Sequence, residues 1–259
     1  MGVEVDKRVK FLWQLGVVVV IAAAWQFLPK IFDISPLVLP TLSDSIASLW
    51  SPLTGEGTLW SNTLVTLKEI AGAFLIASVV GIVVGLVVGT IEPLRNISMP
   101  FLMAAFAVPI MVLIPLFLVS LGLGVSSKVA FGALYAVFPV LFNTVVGVSS
   151  VQPIYYSVAQ VYGLSRREVM TKIVLRSAAR DIMNGIQNAV AISIIAVISI
   201  EMFGSVAGLG YLIHRAGQRM RIDETYGLIL VVLILAVVLL GVVKAIGRSM
   251  NVRLEVSIE

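Results

Sequence analysis

The sequence predicts an all-α integral membrane protein with about six transmembrane helices. Of its 259 residues, 59% are hydrophobic and only 12% are charged, and the mean hydropathy is +1.06. A soluble domain needs more charge than this to cover its surface. Six apolar stretches account for most of the length, and Lys and Arg concentrate in the segments on one side of them. We therefore expect a single membrane domain over residues 1–259.

Each apolar stretch supplies the roughly 20 residues that cross a bilayer core. The first begins with basic residues, as a signal peptide does, but its apolar part is longer than that of most signal peptides, so we read it as a retained span. The predicted spans are about Val9–Leu28, Leu64–Thr90, Met99–Leu121, Lys128–Val148, Gly185–Phe203 and Gly227–Ala245.

Lys and Arg set the orientation, because they are retained on the cytoplasmic side of a membrane. With the N-terminus inside, twelve of the eighteen basic residues lie in cytoplasmic segments, including those of a polar loop at 149–184. Both termini are then cytoplasmic, and segments 29–62 and 204–226 are outside. The other six basic residues fall on the outer side or its borders: Lys30, Lys68, Lys128, Arg215, Arg219 and Arg221.

The outer segment 29–62 contains the pattern of a short amphipathic helix. Thr41 or Ser43 can cap its start, and Ile46, Leu49 and Trp50 share one face. Such a helix is typical of a packing and anchoring element that lies in the membrane interface.

The cytoplasmic loop 149–184 predicts two short helices joined at a glycine. Residues 165–168 read Ser-Arg-Arg-Glu, the pattern of a capping box that begins a helix. Upstream, Ile154–Tyr162 can form another helix that stops at Gly163, which is free to adopt left-handed geometry. The residues alone leave two interpretations equally open: a compact projection that contacts a partner, or an ordinary solvated basic loop.

The third span is interrupted by Pro109 and Pro115, which remove backbone hydrogen bonds. Such breaks favour a bent helix beside a pathway, because a cavity or neighbouring helices can satisfy the released carbonyls. We place Pro109, Met111 and Pro115 among the candidate pathway or gate residues.

The fifth span supplies the other pathway candidates. Ser193 and Glu201 lie on one stripe at helical spacing, and Met202 follows Glu201. Two roles for Glu201 stay open: a position on the pathway, or an interfacial acid paired with Arg215, Arg219 or Arg221.

Two further patterns concern packing between spans. Gly81, Gly85 and Gly89 form a G-x-x-x-G-x-x-x-G series that permits close helix approach, within the chain or across a dimer. The fourth span carries an aromatic stripe that is typical of packing or lipid contact and, if it faces a pathway, suits a flat substrate: Phe131, Tyr135, Phe138 and Phe142.

Several site classes lack the residues they need. The chain has no Cys and one His, His214, so nucleophilic triads, thiolate metal sites and disulfides are not supported. No G-x-x-x-x-G-K-[ST] pattern occurs, so the chain has no P-loop for nucleotide. We expect no catalytic residues, metal or cofactor in this chain, and energy for any transport must come from a partner or from an ion gradient.

The cytoplasmic loop resembles the signature loop of ABC-importer permeases, E-A-A, three residues, G, nine residues, I-x-L-P. Counted from Ser157, the residues Ala159, Gly163, Ile173 and Leu175 match this pattern. Ser157, Val158 and Arg176 depart from it. Three more segments resemble family motifs, VLPTLSDSIASLW, LVSLGLGVSSKVA and EMFGSVAGLGYLI. Over about 39–253 the chain is similar to the nitrate/sulfonate/taurine type of permease. Ile110 stands where members often have a second Pro, which implies a milder kink in the third span.

The resemblance implies the type I importer fold and a set of partners. The permease would sit in the inner membrane as half of a homodimer or heterodimer, with two cytoplasmic ABC ATPase subunits that bind ATP and Mg, and an extracytoplasmic binding protein. The expected cargo is a small anionic solute, such as nitrate, a sulfonate, taurine or an aromatic acid. Residues implied to form or shape the loop that couples to the ATPase are Ser157, Ala159, Gly163, Leu164, Ser165, Glu168, Ile173 and Leu175. The departures Ser157 and Arg176 are consistent with two alternatives: a docking surface adapted to one particular ATPase, or pairing of this chain with a second, different permease.

Two rivals from other classes remain at this stage. A gradient-driven transporter or channel subunit usually carries ionisable residues at the centre of its spans. Here Lys68 and Glu69 lie near the start of span two, where Lys can reach the interface, and Glu201 lies near the outer end of span five. An integral-membrane enzyme would need a polar catalytic cluster, which the pattern does not contain.

Overall fold

The computed structural model describes residues 7–50 and 59–256, which form a bundle of α-helices. In the text below, the side of the loop at 149–184 is called cytoplasmic and the opposite side outer. The helices are α1 Lys7–Ile31, α2 Leu42–Ala47, α3 Leu59–Thr90, α4 Glu92–Phe106, a 3-10 turn Ile110–Leu113, α5 Ile114–Leu121, α6 Val125–Ser149, α7 Pro153–Val161, α8 Arg166–Phe203, α9 Leu209–Gln218 and α10 Ile222–Val256.

Five of these helices, α1, α3, α6, α8 and α10, are long and apolar enough to cross a membrane. The predicted third span is instead a bent pair, because α4 and the segment Ile110–Leu121 meet at 80°. Pro109 caps the 3-10 turn at this break with extended backbone and cannot donate a helical hydrogen bond. A bend is confirmed, and whether it is milder than in relatives with a second Pro stays a prediction.

The glycine series of α3 packs against α6 within the chain. The contacts advance together along both helices, which shows that α3 and α6 run parallel. Since both cross in the same direction, the bent pair between them must return the chain across the bilayer, and six crossings result. A β-carbon added at each glycine would lie only 2.6 to 2.9 Å from the β-carbon of its partner: Gly81 with Val140, Gly85 with Thr144 and Gly89 with Val148.

Replacing Gly85 with Val is expected to prevent this helix pair from closing. A β-carbon at Gly85 would lie 2.6 Å from the Thr144 Cβ, so α3 and α6 would have to separate, at a cost of about 3 kcal/mol. Thermal unfolding and gel filtration in detergent measure the loss. The matched control is Gly241→Val in α10, where an added β-carbon meets nothing within 4 Å. Equal melting temperatures for the two variants would contradict the packing.

Helix α8 completes the core by running antiparallel to α6. Gly132 near the outer end of α6 approaches Val197, whereas Gly147 at the other end approaches Ala178. Ala73 of α3, together with Ala133 and Val197, is buried where the three helices meet. The small side chains bring the three backbones close, so this three-helix unit is the framework that positions both ends of the molecule.

The aromatic stripe of α6 packs inside the chain. Phe106 at the end of α4 lies 5.2 Å from the Tyr135 ring, 5.3 Å from Phe138 and 5.8 Å from Phe142, measured between ring centroids. Phe117 of α5 meets Phe131 edge-on. The stripe therefore holds the bent pair against α6.

The described part of the outer segment joins α1 to the remainder of the fold. Helix α2 begins as expected at Thr41, whose side chain accepts a hydrogen bond from the Asp44 amide. The Trp25 indole donates to the Pro40 carbonyl, and its ring lies against Tyr226 of α10. The second half of the predicted segment includes 51–58, which lie outside the described residues, and the placement of α2 in the interface stays a prediction.

Candidate functional sites: the cytoplasmic coupling helix and the outer polar cluster

Helix α7 ends in a turn that its sequence determines locally. Gly163 has φ of +65°, the left-handed conformation. Its amide donates to the Gln160 carbonyl, and the Leu164 amide donates to the Ala159 carbonyl. This pair of hydrogen bonds is the Schellman motif, which satisfies the last carbonyls of a helix and reverses the chain. The predicted stop at Gly163 is confirmed.

Two residues after Gly163, Ser165 caps the start of α8 with the predicted capping box. The Ser165 hydroxyl accepts from the Glu168 amide, and the Ser165 amide donates to the Glu168 carboxylate at 3.0 Å. Lys172 pairs with the other oxygen of that carboxylate at 2.8 Å. The cap and this ion pair order the first turns of α8 at the membrane surface.

The prediction of a second short helix was wrong. Helix α8 continues for 38 residues from Arg166 into the fifth span, and one π-helical segment, Val169–Val174, interrupts its regular pitch. No Gly or Pro occurs between Ser165 and Gly185 to stop it. The projection is therefore one short helix, α7, mounted on the cytoplasmic end of a membrane-spanning helix.

Helix α7 presents an apolar surface toward the cytoplasm. Its inner side buries Ala159, which is 2% exposed. The other side, called the coupling face here, consists of residues at helical spacing that are between 44% and 85% exposed: Ile154, Tyr155, Val158, Val161 and Tyr162. Exposed apolar residues grouped on one side of a short helix indicate an interaction surface.

The remaining residues of the predicted coupling loop lie around this helix. Ser157 is exposed on α7, and Ile173 and Leu175 are half-buried on α8. Leu175 packs against a core formed by Val148 and Val174, which anchors the loop to α6. Their roles in coupling stay predictions.

At the outer end, three consecutive amides at the start of α9 are bound by side chains of two spanning helices. The Gly208 amide donates to Asn62 Oδ1 at 2.7 Å, and the Leu209 amide donates to Thr66 Oγ1 at 2.8 Å. The Gly210 amide donates to Glu201 Oε2 at 2.7 Å. The first amides of a helix lack partners within it, so α3 and α8 together cap α9.

Glu201 connects both parts of this arrangement. Its Oε1 accepts a hydrogen bond from the Thr66 hydroxyl at 2.7 Å, and its side chain is 1% exposed. Gly208 has φ of +110°, and a β-carbon there would lie 2.3 Å from Glu201 Oε1. Only glycine fits between the carboxylate and the start of α9.

Two more charged side chains complete what we call the outer polar cluster: Asn62, Thr66, Glu69, Lys128 and Glu201. The carboxyl of Glu69 is also 1% exposed, and its Oε2 has no hydrogen-bond partner among the described residues. Lys128 is equally buried, and its ammonium donates to the Leu123 carbonyl. The hydrogen bonds that Asn62, Thr66 and Glu201 make with one another and with the start of α9 make the cluster a structural unit at the outer end of the bundle.

One of the two roles left open for Glu201 is corrected by this arrangement. Among the described residues, Glu201 does not pair with an arginine of the outer loop, and its oxygens are bound by Thr66 and Gly210. Arg221 pairs with Glu224 at 2.9 Å. Lys128 lies at the outer border as expected, but its side chain is enclosed, because the outer end of α6 packs between α3 and α8.

The other pathway candidates are distributed over two regions. Pro109, Met111 and Pro115 are exposed on the bent pair. Ser193 is fully buried in α8, and its hydroxyl has no hydrogen-bond partner among the described residues. Met202 is half-buried against the outer core. Their roles in a pathway stay predictions.

Sequence reasoning missed Asn62, Thr66 and Glu69 as a group. They occur at i, i+4 and i+7, a polar stripe on one side of an otherwise apolar helix. This spacing was the available signal that they face a common partner.

The comparison with known proteins identifies the family. Residues 77–255 match the family model of the binding-protein-dependent transport system inner membrane component, which is more than half of the chain. The chain belongs to this family. It is an ABC-importer permease subunit, a multi-pass component of the inner membrane, and its own fold is all-α, as predicted.

Curated relatives and solved structures agree with this assignment. The permease is 27% identical over 258 residues to the taurine transport system permease protein TauC of Escherichia coli, covering 95% of this chain and 94% of the relative. It is 27% identical over 226 residues to the putative aliphatic sulfonates transport permease protein SsuC of Bacillus subtilis, covering 86% and 82%. An inward-facing structure of the MetNI methionine ABC transporter shares the fold, with a TM-score of 0.63, 16% identity, and coverage of 78% of this chain and 99% of that one.

Proposed function

We propose that the permease passes a small anionic solute from an extracytoplasmic binding protein into the cytoplasm by alternating access, driven by ATP hydrolysis in a partner subunit. The observation that carries the proposal is the coupling face of α7. A cytoplasmic helix that exposes Val161 and Tyr162 at 85% and 77% has an apolar surface suited to a protein partner.

The mounting of α7 explains how such a partner would act on the spans. Ala159 and the Schellman turn fix α7 to the start of α8, and α8 continues through its π-helical segment to Glu201 at the outer end. A displacement of the ATPase would therefore move one long helix. Because α8 also binds the start of α9 through Glu201, the same displacement would reach the outer side.

The anionic character of the solute is supported by relatives and by charge. The relatives include transporters named for taurine, aliphatic sulfonates and bicarbonate. In this chain the acids of the outer polar cluster are 1% exposed, so they do not confront an anion. A riboflavin transport permease is also among the relatives, so the solute class must be tested directly.

The test is purification of the permease from its native membrane in mild detergent, followed by reconstitution into liposomes with the proteins that co-purify. We expect an ABC ATPase to be recovered, and we expect uptake of labelled taurine or ethanesulfonate only when ATP is supplied on the ATPase side. Uptake by the permease alone, without ATP, would overturn the proposal in favour of a gradient-driven transporter or channel.

A further inference from the structure

A cavity of about 350 Å³ opens on the outer side between the start of α3 and the start of α9. Ser61 and Val65 of α3 form one wall, and Tyr211 and Arg215 of α9 form the other, with Val206 of the preceding linker at the rim. A volume of this size suits a small solute. Among the residues that the structure describes, no acid lines it.

Arg215 supplies a positioned positive charge to this cavity. Its guanidinium lies 5.5 Å from the centre of the Tyr211 ring, and the side chain is half-buried. Stacking on an aromatic ring restricts the guanidinium without using its hydrogen-bond donors. Those donors match the paired oxygens of a sulfonate or carboxylate.

A second positive charge lies deeper on the same side of α3. Ser61, Val65 and Lys68 follow one another at i, i+4 and i+7, and Lys68 is exposed. The acids of α3 and α8, Glu69 and Glu201, lie in the packed interior instead. Positive charge is thus presented to the cavity and to the surface beneath it, while negative charge is enclosed.

We propose that this cavity is an anion site at the outer mouth of the pathway, where Arg215 receives a sulfonate or carboxylate group and Lys68 attracts it toward the membrane. Its place in transport rests on the proposed function, whereas anion attraction at Arg215 does not. The phosphate of an anionic lipid offers similar chemistry, and the experiment separates the two sources.

The absence of natural cysteines allows a direct measurement of the local potential. Val206→Cys places a single thiol at the rim of the cavity, in the full permease with its co-purified ATPase, in phosphatidylcholine nanodiscs. The thiol is reacted with sulfonatoethyl methanethiosulfonate, which is anionic, and with its trimethylammonium counterpart, which is cationic. The ratio of the two rates reports the potential, because the thiolate fraction affects both reactions equally.

We expect Arg215→Gln to lower the ratio of the anionic to the cationic reaction rate about fivefold. This is the effect of removing one charge about 8 Å from the thiol at the dielectric constant of water. Lys68→Gln lowers it less, and Arg215→Lys retains it. The control thiol, Val38→Cys, lies on an exposed part of the outer segment and should show no response to these changes. Equal ratios for parent, Arg215→Gln and Lys68→Gln at Val206→Cys would overturn the proposal.

Protection of the Val206→Cys thiol from the anionic reagent identifies the ligand of the cavity. Ethanesulfonate should slow the reaction of the anionic reagent with the thiol of Val206→Cys. Dimethyl sulfone, a neutral compound of similar size, should not slow it. Arg215→Gln should abolish the protection by ethanesulfonate. Protection by phosphatidylglycerol in the nanodisc but not by ethanesulfonate would overturn the solute site in favour of a lipid site. The reaction rates of the thiol do not require transport. Rates that contradict the anion site would therefore not contradict ATP-dependent uptake, and a lack of uptake would not affect the interpretation of the rates.

Discussion

Gly163→Pro is expected to reduce recovery of the ATPase with the permease by at least about tenfold while leaving the membrane bundle folded. Proline fixes φ near −65°, whereas Gly163 has φ of +65°. Proline also lacks the amide that donates to the Gln160 carbonyl. A distortion that costs more than about 1.4 kcal/mol at the dock weakens binding by a factor of ten.

Gly163→Asn is the matched control, because Asn tolerates the left-handed conformation and keeps the amide. A β-carbon at this position meets nothing within 4 Å, so steric crowding does not complicate the comparison. The measurements are the ATPase to permease ratio after affinity purification and the melting temperature of each variant. Recovery of the ATPase at the parental ratio with Gly163→Pro would contradict the assignment of α7 as the coupling helix.

Glu201→Ala is expected to release the start of α9 and to destabilise the outer end of the bundle. The substitution leaves the Gly210 amide and the Thr66 hydroxyl without their acceptor in the packed interior. Breaking such a buried set costs about 3 kcal/mol. We expect the melting temperature to fall by about 10 °C and the amides of 208–210 to exchange hydrogen faster.

Ser193→Ala on the same helix is the control for loss of a buried polar side chain. Its hydroxyl is fully buried with no partner among the described residues, so its removal should change the melting temperature little. Glu201→Gln keeps one acceptor oxygen, so its melting temperature should lie between those of Glu201→Ala and Ser193→Ala. A transport defect in Glu201→Ala with unchanged melting and exchange would contradict the positioning role and return Glu201 to the pathway.

Release of α9 also bears on the transport cycle. Helix α9 is bound by Asn62 and Thr66 of α3 and by Glu201 of α8, so it moves as a unit with both helices as long as these hydrogen bonds hold. Arg215 lies on the same helix. The position of the proposed anion site therefore depends on the outer polar cluster.

Sequence patterns were sufficient where the interacting residues are neighbours in the chain. The cap of α8 joins Ser165 to Glu168, and the end of α7 depends on the backbone freedom of Gly163. The positions of the spans follow from stretches of about 20 apolar residues, because the bilayer imposes that length. These features of the coupling loop and the topology could be predicted before any packing was known.

Packing was needed wherever distant residues meet. Thr66 and Glu201 are 135 residues apart, and only the closure of α3, α6 and α8 brings them together with Lys128. The 80° bend places Phe106 and Phe117 against the aromatic stripe of α6, a contact between distant residues that the prolines do not specify. A charged residue near the end of a span has the same local pattern whether it reaches solvent or is enclosed, since burial is a property of the neighbours that the fold supplies.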